Sequence, residues 1–187
     1  MFLSNKLSCV RIFFAPVFFI VYSLAHSLDE YAVVVLICLL VALVFVEFTD
    51  FLDGFFARKF NQVSDTGKLL DPFSDAFLHI NIFLCFTLYG LMPALIFILI
   101  LYREFLMLFL RMLSIKKGIA VAARMGGKFK TVLYILSVFC TLILNILSAA
   151  GFVHAIVLKP VLTILFCLCA AASYISFVDY IIQFRRL

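Results

Sequence analysis

Apolar residues run almost unbroken along this chain, and the few polar interruptions, more than any periodicity, mark where its elements begin and end. They divide it into six stretches, Ile12–Leu28, Tyr31–Ala57, Gly67–Tyr89, Met92–Ser114, Thr131–Ala149 and Val153–Ile182. Each is close to the ~20 residues an α-helix needs to cross ~30 Å of hydrocarbon. The Gly90–Pro93 break splits what would otherwise be one overlong run. The pattern predicts an all-α integral membrane protein with six transmembrane helices, forming a single domain over residues 1–187.

Composition supports this. Of 187 residues, 67% are hydrophobic and 13% charged, against about half and about a quarter in a soluble domain. The charges orient the spans. Of 15 Lys and Arg, all but Arg103 and Lys159 fall at the termini or in and beside the second-to-third and fourth-to-fifth connections. By the positive-inside rule both termini are cytoplasmic, as in a bacterial-type inner membrane. The net charge of +5 is this topological signal plus attraction to anionic lipid. The basic residues form no single soluble face, which argues against nucleic-acid binding. Residues 1–28 imitate a signal peptide, but the basic residues are sparse and Pro16 interrupts the run. The six cysteines form no C-x-x-C pair and are expected to pack as small hydrophobes.

Against this apolar background, four carboxylates stand out. Asp50 and Asp53 are three apart near the end of the second span, and Asp71 and Asp75 are four apart near the start of the third. Both spacings put the pair on one helical face. The short connection Lys59–Thr66 makes the two helices antiparallel neighbours, so the two acidic faces can converge. An ionised Asp at membrane depth costs roughly 2.5–3.5 kcal/mol on insertion scales, and divalent cations would compensate four of them. Hard oxygen donors suit Mg²⁺, Mn²⁺ or Ca²⁺, and four carboxylates can serve two ions sharing ligands, an arrangement used for displacement at phosphorus. Gly54 and Ala57 allow close approach. Arg58 offers a planar donor fork for phosphate, and Gly67 opens the third helix, where free amides favour anions. Glu47 fits two readings equally, support for the acidic site or a protonated buried acid, while packing or a local hydrogen bond is expected of His79.

The string Asp50-x2-Asp53-Gly54-x2-Ala57-Arg58-x8-Gly67-x3-Asp71-x3-Asp75 reproduces every fixed position of the CDP-alcohol phosphotransferase signature. The chain resembles that family over nearly its whole length, and Asn5-Lys6-Leu7-Ser8-x2-Arg11 is similar to the family's N-terminal N-x-L-T-x2-R segment, with Ser8 in place of Thr. The resemblance implies cleavage of a CDP-linked substrate, release of CMP and transfer of the remaining phosphoryl group to an alcohol. It implies two metal ions, Mg²⁺ or Mn²⁺, bridged by Asp50 and Asp71, with Asp53 completing one site and Asp75 the other. Asp75 would also take the acceptor's proton. Asn5, Ser8, Gly54, Ala57, Arg58, Ser64 and Gly67 would serve the CDP portion, with the N-terminal segment as a short interfacial helix over the nucleotide. Many family members are dimers, so a homodimer is admitted.

The second half of the chain bears on the acceptor. Arg103-Glu104 lies deep in the fourth span, with Arg111 two turns later and Gly127-Lys128-Phe129-Lys130-Thr131 following. An Arg at mid-membrane is not expected to face lipid, and a basic pocket suits an alcohol bearing its own phosphate. The pattern R-E…LR…G-K-x-K-T resembles the phosphatidylglycerophosphate synthases of the family, which use CDP-diacylglycerol and glycerol 3-phosphate. That resemblance makes Arg103, Arg111, Lys128 and Lys130 candidate contacts to the acceptor phosphate. One departure is Ala76, where that subfamily commonly has Lys directly after the last Asp. Another acceptor, such as an inositol phosphate, is the nearest alternative. A cation transporter is a remote one, because it would not require Gly54-x2-Ala57-Arg58.

Overall fold

A computed structural model describes residues 3–28, 31–59, 65–116 and 125–186, with side chains described for 8–28, 31–49, 70–114, 116, 127–154 and 157–184. Among these residues there are six helices: α1 (Leu3–Ala25), α2 (Ala32–Lys59), α3 (Asp65–Leu88), α4 (Ala94–Lys116), α5 (Met125–Ala149) and α6 (Ala155–Arg186). Each overlaps one of the six apolar stretches, with its ends displaced by a few residues in most cases. The largest differences are at the N-termini of α1 and α5. The segment expected as a short interfacial helix continues without a break into the first span, so Asn5, Ser8 and Arg11 belong to α1 itself.

The breaks have local causes. Gly90 and Gly151 take the left-handed conformation, with φ of 70° and 81°, which only glycine adopts at little cost. After α3, the Gly90 amide bonds the Thr87 carbonyl and the Leu91 amide reaches back to Phe86. After α5, the Gly151 amide bonds Ser148 and the Phe152 amide reaches Leu147. Both are Schellman caps, which satisfy carbonyls that a helix end leaves open. The next helices start on a carbonyl acceptor: Pro93 receives the amides of Ile96 and Phe97, and His154 those of Val157 and Leu158.

Among the described residues, four helices contain stretches long and apolar enough to cross a membrane: Ser8–Ala25, Ala32–Thr49, Gly127–Ala149 and Val157–Phe184. α3 and α4 have 24 and 23 residues, long enough to span, but their apolar runs carry Asp71 and Asp75, and Arg103, Glu104 and Arg111. The side chains are sorted as lipid demands. Phe13, Phe45, Leu95, Ile164 and Ile175 are exposed, whereas Ser74, Ser137, Thr141, Asn145 and Ser173 are buried. Lipid tails give apolar side chains no reason to turn inward, so helix association depends on close packing and on hydrogen bonds between helices.

The described chain forms two compact units. The first spans Met1–Cys85 and Leu142–Phe152, and α1 packs on α2 within it. The buried positions of α1 are Ser8, Arg11, Ala15, Phe18, Tyr22 and Ala25, alternately three and four apart, which is one narrow helical stripe. Its apolar part stacks Phe18 on Tyr22 at 5.7 Å between ring centroids. The Tyr22 hydroxyl accepts a 2.7 Å hydrogen bond from Asn145 Nδ2, so two buried polar groups satisfy each other. The other end of the stripe is polar and belongs to the site.

The second unit spans Phe86–Thr141 and Val153–Leu187, with α4 packed on α6. Tyr174 donates to the Leu99 carbonyl at 3.1 Å, and Ser114 and Tyr180 share a hydroxyl–hydroxyl bond of 3.0 Å. These contacts advance along both helices together, so α4 and α6 run parallel. The buried α6 positions Leu158, Leu162, Phe166, Cys169, Ser173 and Ser176 again trace a stripe at three- and four-residue spacing.

Candidate active site

In the first unit, the polar end of the α1 stripe meets the acidic face of α3. Ser8 donates its hydroxyl to Asp71 Oδ1, and Arg11 pairs its guanidinium with Asp75. Ser8 and Arg11 are three apart on α1, and Asp71 and Asp75 are four apart on α3, so both contacts lie along one line. Arg11 is buried, while 43% of the Asp75 side chain is exposed. The acid at the end of the line is therefore open on one side while its partner is enclosed. Two further contacts stiffen this part of α3. Ser74 Oγ donates to the Asp71 carbonyl at 2.9 Å, and His79 Nδ1 bonds the Asp75 carbonyl at 2.9 Å. His79 is buried with its ring edge-on to Phe83, so the local hydrogen bond expected of it is present. Ala76 is buried.

The other half of the acidic site lies outside the described side chains. Asp50, Asp53, Gly54, Ala57 and Arg58 are in the last part of α2, Asn5 is in the first turn of α1, and Gly67 is in the first turn of α3. For these the helix alone is described, and Ser64 lies outside the described residues altogether. Among the described residues no three His, Cys, Asp or Glu side chains come together as a metal site. The donors that are described suit a hard divalent cation. Asp71 and Asp75 carry oxygen donors one turn apart on one face, and each is met by a hydrogen donor or positive charge from α1.

The expected basic residues lie in the second unit. Arg103 and Glu104 are buried in the middle of α4. Glu104 Oε1 accepts from Arg103 Nη1 at 2.8 Å, from Lys130 Nζ of α5 at 2.9 Å and from the Tyr134 hydroxyl at 3.1 Å. Arg103 also donates from Nε to the Ser173 carbonyl of α6 at 2.9 Å. Lys130 Nζ sits 4.4 Å from the centroid of the Tyr134 ring, a cation–π contact that stabilises a desolvated ammonium. Arg111 is half-buried and within electrostatic reach of Arg103, Glu104 and Tyr180, whereas Lys128 is exposed.

Arg103 and Lys130 thus come together, Arg111 stands near them, and Lys128 faces outward. Sequence reasoning missed the parts played by Tyr134 and Ser173. Tyr134 lies four residues after Lys130, a helical neighbour spacing, and that was its available signal. Arg11 was visible only as the last letter of the N-terminal motif, and nothing local to it indicated Asp75 as its partner.

The CDP-alcohol phosphatidyltransferase family model matches residues 1–178, and the chain belongs to that family. It is an integral membrane protein, and divalent metals are what the family generally uses. It is similar to the CDP-diacylglycerol–glycerol-3-phosphate 3-phosphatidyltransferase of Treponema pallidum, with 37% identity over 153 residues, covering 79% of this chain and 71% of that protein. The protein of the same name from Bacillus subtilis is 33% identical over 150 residues, covering 77% of this chain and 78% of its own length. That of Aquifex aeolicus is 37% identical over 109 residues, covering 57% and 61%.

Proposed function

We propose that the chain transfers the phosphatidyl group of CDP-diacylglycerol to glycerol 3-phosphate, giving phosphatidylglycerophosphate and CMP. It does so as a six-span protein whose acidic site faces the cytoplasm. The family match, the reaction named for its relatives and the full Asp50–Asp75 signature support the chemistry. The observation that carries the acceptor is the buried group of Arg103 and Lys130 with Arg111 nearby. Three cations in apolar helices are costly unless something anionic uses them, and one internal carboxylate, Glu104, balances only part of their charge.

The acceptor oxygen bonds to the phosphorus bearing the diacylglycerol. The bond from that phosphorus to the bridging pyrophosphate oxygen breaks, and its electron pair leaves with CMP. The acceptor's proton passes to Asp75, a carboxylate with an exposed face and therefore open to an approaching hydroxyl. Asp50, Asp53, Asp71 and Asp75 would hold two ions, Mg²⁺ or Mn²⁺, which when bound neutralise charge on the pyrophosphate and the leaving group. Asn5, Ser8, Gly54, Ala57, Arg58, Ser64 and Gly67 hold the CDP portion. Ser8 and Arg11 also keep Asp71 and Asp75 oriented. Arg103, Arg111 and Lys130, with Lys128 at the exposed rim, receive the acceptor phosphate through charge-assisted hydrogen bonds. Dimerisation is carried over from the family resemblance alone.

Ala76, in place of the usual Lys, gives weight to a second reading in which the same chemistry serves another phosphorylated alcohol. Purified protein in lipid nanodiscs, supplied with CDP-diacylglycerol and Mg²⁺ or Mn²⁺, should release CMP with glycerol 3-phosphate and not with unphosphorylated glycerol. CMP release only with inositol phosphate would establish the second reading. No CMP with any acceptor would refute both.

A further inference from the structure

A receptor for an anion has no evident need of a buried carboxylate, yet Glu104 sits at the centre of the basic group. One of its oxygens takes hydrogen bonds from Arg103, Lys130 and Tyr134, at 2.8, 2.9 and 3.1 Å. These donors come from two helices, and the Ser173 carbonyl ties Arg103 to a third. Glu104 therefore does two things at once. It fixes the spacing of Arg103 and Lys130, whose long side chains would otherwise lose rotamer freedom on each binding event. It also cancels one of the three positive charges of Arg103, Arg111 and Lys130. The remaining two match a phosphate monoester, which carries about −1.5 to −2 at pH 7.

We propose that Glu104 is a positioning and specificity-determining residue that orders Arg103 and Lys130 and sets the charge of the group to suit a singly phosphorylated alcohol. This rests on the reading of Arg103, Arg111 and Lys130 as the acceptor site. Without Glu104 the two cations would repel each other in a low-dielectric setting. With it, an empty site stays assembled and an arriving phosphate finds donors already in place.

The test uses the full chain in nanodiscs and steady-state kinetics in both substrates, with inorganic sulfate as a probe that has the charge but not the alcohol. Glu104→Ala should raise KM for glycerol 3-phosphate at least about tenfold, with KM for CDP-diacylglycerol changed by less than about threefold. Glu104→Gln keeps an acceptor oxygen for the three donors and adds one net positive charge. Its KM for glycerol 3-phosphate should fall, and sulfate, competing with glycerol 3-phosphate, should inhibit on the order of tenfold more strongly, because both dianions meet the same added charge. Equal effects of Glu104→Ala on both KM values, or an unchanged sulfate constant in Glu104→Gln, would overturn the proposal. If Glu104→Ala does not fold, the sulfate result decides alone. The underlying site reading fails separately: sulfate would then not compete in the wild type, and Lys130→Ala would leave the acceptor KM unchanged.

Discussion

Replacing Arg11 with glutamine should tighten divalent-metal binding. Arg11 is buried on α1 and paired with Asp75, so its guanidinium holds a carboxylate that the proposed function assigns to a metal. A cation and a metal ion drawn to the same carboxylate oppose each other, and removing the fixed charge should favour the ion. The size of the effect follows from the setting. The Asp75 side chain is 43% exposed, so the high-dielectric limit applies. There, two unit charges ~4 Å apart interact by about 1 kcal/mol, and a dication doubles this to about 2 kcal/mol. At 1.36 kcal/mol per factor of ten, that is about 30-fold in affinity. Mn²⁺ titration followed by electron paramagnetic resonance, on nanodisc protein without nucleotide, measures it directly. Arg11→Gln should bind Mn²⁺ about 30-fold more tightly and Arg11→Lys close to wild type. Unchanged or weaker binding in Arg11→Gln would refute the competition and leave Arg11 as a purely structural tie between α1 and α3.

Three further outcomes are expected. Asp75→Asn should abolish turnover while CDP binding, followed by calorimetry, stays largely intact, and wild-type rates in that variant would contradict its role as base. Lys130→Ala should raise KM for glycerol 3-phosphate about tenfold or more, the loss of one charge-assisted hydrogen bond, and far more than KM for CDP-diacylglycerol. Tyr22→Phe leaves the buried Asn145 amide without its 2.7 Å partner and should lower stability in denaturant titrations by about 1 kcal/mol, within the range for hydrogen bonds between membrane helices. Tyr22→Phe with Asn145→Leu should recover part of that loss, since no amide is then left unsatisfied.

Much of the fold was legible because lipid imposes a coarse rule. A helix must be long and apolar, so the breaks at Gly90 and Gly151 and the clusters of Lys and Arg divide the chain almost as the helices do. The N-terminus was harder to read. Lys6, Ser8 and Arg11 look like a polar segment preceding a span, yet three- and four-residue spacing places Ser8 and Arg11 on the buried stripe of a single helix. The shared face of Asp71 and Asp75 was legible from spacing alone, because helical geometry puts residues four apart side by side. The partners were not, because Arg11–Asp75 and Lys130–Glu104 join residues distant in sequence, and no local pattern encodes which charge a buried cation meets. Glu104 illustrates this. It stands next to Arg103 in sequence, whereas the fold also brings Lys130 and Tyr134 onto the same oxygen.

The central claim is that the acids of α2 and α3 together hold a pair of divalent ions. Anomalous diffraction at the manganese edge, on crystals of the protein grown with Mn²⁺, tests it most directly. Two peaks bounded by Asp50, Asp53, Asp71 and Asp75 are predicted. Peaks elsewhere, or a single ion held without Asp71 and Asp75, would contradict it.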